Sequence, residues 1–275
     1  MRLYPQPEPA RLRLYYPERY WHVPSGDAVS ELTELYRRLV LYDHVWFVER
    51  ARRDSGETGP VLDVGCGGGL LLRMLHERGL RVLGLDFALS AASAAWRHNA
   101  VPAICGTLSQ APLPDASCSV VTMFHVLEHL YDPRAYLDTA HRLLKPGGRL
   151  VVQVPNASCW QFLLLGEMWN GLDIPRHLFD FRSRDLEILL ESCGFEVVRR
   201  KYFSLRDNPA GLVSSLWPGL DPMARLLRGV PEGPTLRLLK NLTYFALTML
   251  ATPFTLIEAA CRAGSTVMVE ARKRA

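Results

Sequence analysis

The sequence predicts an α/β protein whose core is a doubly wound, mostly parallel sheet. Short apolar runs such as "PVLDVG", "LRVLGLD", "SVVTMF" and "GRLVVQVP" are typical of strands that are buried on both faces of a sheet. Helical patterns at 69–78, 88–98 and 132–144 separate most of these runs, and a glycine-rich turn follows the first one. Strands and helices that alternate in this way predict parallel strands joined by right-handed crossovers.

The pattern divides the chain into three regions. Residues 1–57 are predicted to form an irregular arm, rich in proline and tyrosine, followed by a cap helix. The core is predicted over 58–203 and again over 265–275, where "STVMVEARK" supplies a last strand. Residues 204–264, between these two parts, are expected to be a helical, partly apolar insertion.

The insertion contains a stretch without charge, residues 241–257, whose role stays open. It is slightly short for a membrane-spanning helix, which needs about 20 apolar residues, and Pro253 interrupts it. One interpretation is a buried helical hairpin, and another is an interfacial element that touches a membrane. A lid over a soluble acceptor is a third.

The composition indicates a globular protein with a substantial core and no nucleic-acid partner. Of its 275 residues 48% are hydrophobic, and the net charge is only +4, with no long block of like charge. Six cysteines are scattered without a C-x-x-C pair, and no signal-peptide pattern is seen at the N-terminus. These features predict reduced thiols and a cytoplasmic location, at the inner membrane face if residues 241–257 contact lipid.

The segment "VLDVGCGGG" is the most informative about a ligand. Gly65, Gly67 and Gly69 follow a strand and open a helix, which is the context that a nucleotide-binding turn requires. Their G-x-G-x-G spacing differs from the dinucleotide fingerprint, because Leu70 stands where that fingerprint has its third glycine. Glycines let the backbone approach a ligand closely, and the helix N-terminus behind them suits an anion, here a carboxylate.

Two acids complete this pattern. Asp63 precedes the turn, where it suits a ligand that carries an ammonium group. Asp86 ends the next strand, the position of an acid that takes both ribose hydroxyls of an adenosine, and Phe87 offers a flat apolar surface to the base. A ligand with an adenosine, an amino-acid end and no phosphate describes S-adenosylmethionine.

With these residues the sequence resembles the class I S-adenosylmethionine-dependent methyltransferases, specifically the broad bacterial group near the ubiquinone and menaquinone methyltransferases. The resemblance covers roughly 58–203 and the final strand, through "VLDVGCGGG", "LGLDFA", "APLPDAS", "HVLEHLYDP" and "LLKPGGRLVVQVPN" in that order. It implies a Rossmann-like methyltransferase fold of seven strands, the last one antiparallel. It also implies an enzyme with S-adenosylmethionine as its cofactor.

The resemblance further implies which positions bind the cofactor. Asp63 and the glycines hold the methionine end, Asp86 binds the ribose, and the loop at Thr107 frames the adenine. Thr107 stands where the family usually has an acid, so a hydroxyl or a backbone group must serve there. The expected cofactor-binding residues are Asp63, Gly65, Cys66, Gly67, Gly69, Asp86, Phe87, Thr107, Leu108 and His125.

The string "FHVLEHL" raises a competing interpretation, because His125, Glu128 and His129 spell H-x-x-E-H, a zinc-peptidase signature. A zinc site would place its histidine pair in the middle of a helix, whereas His125 directly follows a strand. Similar strings occur in the resembling family without zinc. We therefore predict no metal site. His125 is expected to line the donor pocket, while Glu128 and His129 fasten the loop.

Two histidines are candidate catalytic bases. His125 is expected near the transferred methyl group, and His177 lies in "WNGLDIPRHLFDF", which follows the fifth strand. A related string in part of the resembling family is thought to face the substrate. The expected acceptor-binding residues are Trp169, Asp173, Arg176 and His177. The alternative is a structural loop in which Arg176 and His177 pair with neighbouring acids.

The predicted function is transfer of a methyl group to a small-molecule, lipid or glycan acceptor, at oxygen or carbon, by in-line displacement. The alternative is a membrane-associated scaffold that binds the cofactor without catalysis. Residues 241–257 are the expected point of peripheral membrane contact. The pattern leaves the acceptor, the acceptor atom and the oligomeric state open.

Overall fold

The computed structural model describes residues 1–12, 15, 28–229 and 231–274. Much of the predicted N-terminal arm, residues 13–14 and 16–27, lies outside the described residues. The chain divides into two units. Unit 1 contains the described part of 1–20 together with 155–183 and 201–267, and unit 2 contains the described part of 21–154 together with 184–200 and 268–274.

Unit 2 is built on a seven-stranded sheet, which confirms the predicted fold class. The strands are β1 (Val61–Val64), β2 (Val82–Asp86), β3 (Ala103–Cys105), β4 (Cys118–Phe124), β5 (Leu144–Pro155), β6 (Phe195–Lys201) and β7 (Thr266–Lys273). Their order in the sheet is β3-β2-β1-β4-β5-β7-β6. The first five strands pair in parallel, and the end formed by β5, β7 and β6 is antiparallel.

The helices connect these strands. They are α1 (Pro9–Leu12), α2 (Ala28–Ser55), α3 (Leu70–His76), α4 (Leu89–Asn99), α5 (Pro133–Leu143), α6 (Trp160–Leu165), α7 (Ser183–Ser192), α8 (Asn208–Leu216), α9 (Pro222–Leu227) and α10 (Pro234–Ala260). Helices α3, α4, α5 and α7 belong to the predicted strand–helix alternation. Helices α8, α9 and α10 form the helical insertion that was expected between the last two strands.

The centre of the sheet explains both its stability and the position of the site. Every residue of β1 is buried, as is every residue of β4 before Phe124, and they join a core cluster with α2 and α3. Burial of apolar area at about 25 cal/mol per Å² is the main force that holds these layers together. The strand order reverses between β1 and β4, and at such a point the carboxyl ends of the strands form a ligand-binding crevice.

Helix α10 in unit 1 differs from the expectation of a buried hairpin. It is one helix of 27 residues that continues through Pro253, and its buried side chains are Thr248, Thr255 and Glu258. By length and composition it is the one helix among the described residues that is apolar enough to cross a bilayer. Only 17% of its most apolar window is buried, whereas a core helix is mostly buried. The buried-hairpin interpretation is therefore wrong.

Candidate active site

The glycine turn lies between β1 and α3 and needs glycine for two reasons. Gly65, Gly67 and Gly69 have φ of 75°, 53° and 78°, in the left-handed region that other residues rarely adopt. A Cβ at Gly65 would come within 2.7 Å of a Val126 methyl group, and one at Gly69 within 2.7 Å of a Val101 methyl group. The turn is thus closely packed against Val101 and Val126, and its glycines carry no side chain that could obstruct a ligand.

Asp86 ties this turn to the end of β2. Its Oδ2 accepts a hydrogen bond from the Gly67 N–H at 3.0 Å, and its Oδ1 accepts one from the Ala88 N–H at 2.9 Å. Burial raises the pKa of the Asp86 carboxyl group, while the two backbone N–H groups lower it. Each carboxylate oxygen has a second lone pair, so the fixed side chain can still accept hydrogen bonds from two hydroxyl groups.

Asp63 is a buried acid that lacks a counter-charge. Burial raises the pKa of its carboxyl group to about 7, against a hydrogen bond of 2.6 Å that the Thr122 hydroxyl donates to Oδ1. The negative charge of Asp86 is a smaller cause of the same rise in pKa. Among the residues that the structure describes, no basic side chain forms an ion pair with Asp63. An ammonium group beside it would favour the ionised carboxylate.

The remaining expected cofactor residues lie around the same strand ends. Phe87 is exposed directly after Asp86, where a flat ligand surface can stack on it. Thr107 is half-buried, and its hydroxyl lies 3.2 Å from Gln110 Oε1, to which it donates. Leu108 is fully buried. Burial raises the pKa of the Cys66 thiol, which makes this cysteine a small packing residue rather than a nucleophile.

These observations fit S-adenosylmethionine. The uncompensated Asp63 suits its ammonium group, the fixed carboxylate of Asp86 suits its ribose hydroxyls, and the glycine turn removes the side chains that would obstruct close approach. All of these residues belong to unit 2, and they come from the adjacent strands β1 and β2 and the turn between β1 and α3.

His125 follows β4 and is fixed by a hydrogen-bond network. Its backbone has φ 56°, and its N–H donates to the Gln153 carbonyl at 2.9 Å. Gln153 Nε2 lies 2.8 Å from His125 Nε2, and Glu128 Oε1 lies 3.1 Å from His125 Nδ1. The amide group can only donate through its nitrogen and the carboxylate can only accept. His125 therefore accepts at Nε2 and carries its proton on Nδ1.

The H-x-x-E-H string does not form the geometry of a zinc peptidase. Leu127–His129 is a single 3₁₀ turn, so His125 and His129 do not share one face of an α-helix. Glu128 is buried and bonded to the His125 ring. This arrangement is consistent with the expectation that Glu128 fastens the loop.

Two residues of this region were not found by sequence reasoning. Thr122 on β4 supports Asp63, and Gln153 on β5 supports His125. Each is a polar residue flanked by apolar residues inside a buried strand, "SVVTMF" or "LVVQVP". A polar side chain in such a strand requires a partner, and this signal could have identified both residues.

The four expected acceptor residues lie in one loop of unit 1. Arg176 donates through Nε and Nη2 to Asp173 Oδ1, at 3.1 and 2.8 Å. His177 is buried; its Nδ1 donates to the Gly171 carbonyl at 2.8 Å, and its Nε2 lies 3.8 Å from Asp173 Oδ2. Trp169 is buried in an apolar cluster with Ala157 and Cys159.

The strand order, the glycine turn and the two buried acids together define the class I S-adenosylmethionine-dependent methyltransferase fold. Residues 36–200, more than half of the chain, match the family described as "Methyltransferase domain", and the chain belongs to that family. The recognition made from the sequence is confirmed, and so is S-adenosylmethionine as the cofactor of the family.

Comparison with curated proteins gives relatives of the same kind. The chain is 36% identical over 141 residues to a "Probable S-adenosylmethionine-dependent methyltransferase" of Mycolicibacterium smegmatis, covering 50% of this chain and 52% of that protein. It is 33% identical over 146 residues to a ubiquinone biosynthesis O-methyltransferase of Pseudomonas paraeruginosa, covering 50% and 62%. The matched region thus spans about half to three fifths of these relatives.

Solved structures share the fold at low identity. A SAM dependent methyltransferase from Archaeoglobus fulgidus has a TM-score of 0.53 at 18% identity, with 90% of this chain and 100% of that chain covered. The cyclase SpnF has the same TM-score and identity, with 93% and 86% covered. Since a cyclase shares the fold, the fold alone does not define the reaction.

Proposed function

We propose that the protein transfers the methyl group of S-adenosylmethionine to an oxygen atom of a small-molecule acceptor. The observation that carries this proposal is the pair of buried acids, Asp63 and Asp86, on either side of a glycine turn. The family supports methyl transfer, and relatives named ubiquinone biosynthesis O-methyltransferases support oxygen as the acceptor atom. Carbon as the acceptor atom, and a lipid or glycan as the acceptor, are the alternatives to this proposal.

The cofactor, when bound, supplies a methyl group on a positively charged sulfur, which is already activated for displacement. The protein's own residues then have to bind, orient and exclude water. Asp63 would hold the ammonium group and Asp86 the ribose hydroxyls. The turn Gly65–Gly69 would leave room for the methionine end of the cofactor. Phe87, Thr107 and Leu108 form the adenine side, with Cys66 packed beneath the turn.

The two candidate histidines receive different roles in this proposal. His125 lines the donor side as a positioning residue, because Gln153 and Glu128 already engage both of its ring nitrogens. His177 is the better candidate for a general base, since the Gly171 carbonyl places the proton on Nδ1 and the Asp173 carboxylate, 3.8 Å from Nε2, would stabilise the ring once it has taken up a second proton. Asp173 and Arg176, which pair with each other, and the buried Trp169 hold the acceptor loop in shape.

We also propose that the protein is cytoplasmic and contacts the inner face of a membrane peripherally through residues 241–257. The support is the exposed, uncharged surface of α10. An apolar acceptor would be reached most readily at such a surface.

The experiment is methyl transfer from radiolabelled S-adenosylmethionine into a host-cell extract, followed by partition between organic solvent and water. Asp86→Ala provides the blank, and Asp138→Ala, an exposed acid on α5, is the matched control that keeps activity. Label above the blank supports the proposal, and its phase gives the acceptor class. Cofactor binding without any label would favour the alternative of a non-catalytic scaffold.

His177→Gln tests the proposed base. The expected result is a fall in kcat of about 10²-fold or more with little change in the KM for S-adenosylmethionine, because a base acts in the transition state and not in cofactor binding. An unchanged kcat would remove His177 from the mechanism and leave its hydrogen bond to Gly171 as a structural feature of the loop.

A further inference from the structure

Helix α10 carries polar side chains on its inner side and apolar side chains on its outer side. Thr248, Thr255 and Glu258 are buried, and Gln161 donates to the Glu258 carboxylate from its backbone nitrogen at 3.1 Å and from Nε2 at 2.7 Å. The exposed large apolar residues of the helix are Leu236, Leu238, Leu239, Leu242, Phe245, Met249, Leu250, Phe254, Leu256 and Ile257. A helix whose outer side faces water has the opposite arrangement.

The apolar exposure continues over neighbouring helices of unit 1. Leu163 and Leu164 of α6, and Leu216 and Trp217 at the end of α8, are exposed as well. A groove of about 280 Å³ joins these elements, lined by Gln161, Leu164, Leu165, Leu212, Leu216 and Phe254. We name the exposed apolar side chains of α6, α10 and the end of α8 the outer apolar surface. Contiguous patches of this kind mark interaction sites.

Four threonine hydroxyl groups of α10 find their acceptors within the helix itself. The hydroxyl groups of Thr243, Thr248, Thr252 and Thr255 each donate to a carbonyl of the same helix, at 2.8 to 3.0 Å. A protein partner would form about one hydrogen bond for every 100–200 Å² of interface. The outer half of α10 offers no charged group and no free hydroxyl for such bonds between Lys240 and Glu258, so hydrocarbon is the environment that it fits.

The arginines near the ends of α10 indicate which class of lipid head group the outer apolar surface would contact. Arg228 and Arg237 are exposed near the start of α10, and Arg262 is exposed just beyond its end. Lys240 is paired with Glu232 and does not interrupt the outer half. Cations at the ends of an apolar helix favour anionic head groups, and Trp217 suits the head-group level.

From this arrangement we propose that α10 lies in the plane of an anionic membrane, with the outer apolar surface in one leaflet, and does not cross the bilayer. A crossing helix would have to expose Glu258 to lipid and break the bonds from Gln161. The inference rests on the membrane contact proposed above and is independent of the methyl-transfer chemistry. It assigns the surface to an anionic lipid leaflet and fixes the orientation of the helix.

The test is flotation of the protein with vesicles of phosphatidylcholine and phosphatidylglycerol in equal parts, compared with vesicles of phosphatidylcholine alone. The wild type should float with the mixed vesicles and much less with the neutral ones. Leu250→Glu should lower the partition constant about tenfold or more, because a charge replaces an apolar side chain that is 75% exposed on this surface. Ile188→Glu, an exposed apolar residue of α7, is the matched control that should float like the wild type.

The orientation is tested with a membrane-impermeant maleimide. Cys105 and Cys261 are the exposed cysteines, so a Cys105→Ser background leaves Cys261, just beyond α10, as the reporter. Cys261 of vesicle-bound protein should react from outside, whereas protection until detergent is added would show a crossing helix and overturn the inference.

Two further outcomes would overturn the proposal. One is a wild type that stays at the bottom of the gradient with mixed vesicles. The other is self-association in solution that Leu250→Glu abolishes, which would make the surface an interface between copies of the chain. Methyl transfer to a soluble acceptor is assayed without vesicles, so a failure of the membrane inference does not affect the test of the proposed function.

Discussion

Replacing Asp63 with asparagine is expected to stabilise the free protein at neutral and alkaline pH. Burial raises the pKa of this carboxyl group from 3.8 to about 7, so the folded state binds more protons than the unfolded state between these two values. The stability that the protonated group contributes is fully present below pH 3.8 and is lost as the pH rises through about 7. At 1.36 kcal/mol per pKa unit, the loss amounts to about 4 kcal/mol.

The asparagine variant has no charge at this position at any pH. The Thr122 hydroxyl can still donate to the amide oxygen, so the main difference is the missing buried charge. We expect its gain in unfolding free energy over the wild type to be about 3 kcal/mol larger at about pH 8 than at about pH 5. Urea unfolding at both pH values measures this difference, with the exposed Asp138→Asn as a control that shows none.

The same substitution is expected to weaken cofactor binding by about 10²-fold or more, because the ligand ammonium group loses its buried partner. In the wild type, the affinity should rise about tenfold per pH unit up to about 7, where Asp63 becomes ionised. It should fall again above about 8, where an α-amino group loses its proton. Calorimetry across this range measures the profile. Equal stability of Asp63→Asn and wild type at about pH 8, with a flat binding profile, would refute the reasoning.

Two other predictions concern the turn and the loop. Gly69→Ala should destabilise the protein by about 3 kcal/mol, because it adds a Cβ at positive φ within 2.7 Å of Val101. Gly79→Ala is the control: its φ is also positive, at 81°, but the added Cβ would meet open space, so it should cost only about 1 kcal/mol. Comparison of their urea midpoints checks the packing contribution, and equal losses would contradict it. His125 should show the Nδ1–H tautomer in nitrogen-15 NMR spectra, and an Nε2–H signal would contradict the role assigned to Gln153.

Much of unit 2 could be predicted from the sequence because its strands are buried on both faces. Such strands appear as continuous apolar runs, and residues that directly follow them must lie at the carboxyl edge of the sheet. This reasoning located the glycine turn, Asp63, Asp86 and His125 along the chain. The partners of Thr122 and Gln153 could not be predicted, because these contacts depend on strand register, which local periodicity does not contain.

The exposed half of α10 could not be derived from hydropathy either. The helix carries apolar residues on the half that is exposed and threonines on the half that is buried. An uncharged stretch indicates that water is excluded from the helix, but it does not say whether protein or lipid excludes it. The side that faces inward is shown by contacts distant in the sequence, such as those of Glu258 with Gln161 and of Tyr244 with Ala210.

The pairing of β1 has a consequence for the rate of folding. Val61 pairs with Val82 on one side, 21 residues along the chain, and with Val120 on the other, 59 residues along the chain. The longer loop costs about 1 kcal/mol more entropy to close, so we expect β1 and β2 to join before β4 docks. Asp63 then stays exposed to water until β4 docks and brings Thr122 into contact with it. Because docking buries the Asp63 carboxyl group, this group has to take up a proton in that step. Refolding should therefore become slower as the pH rises from about 4 to about 7.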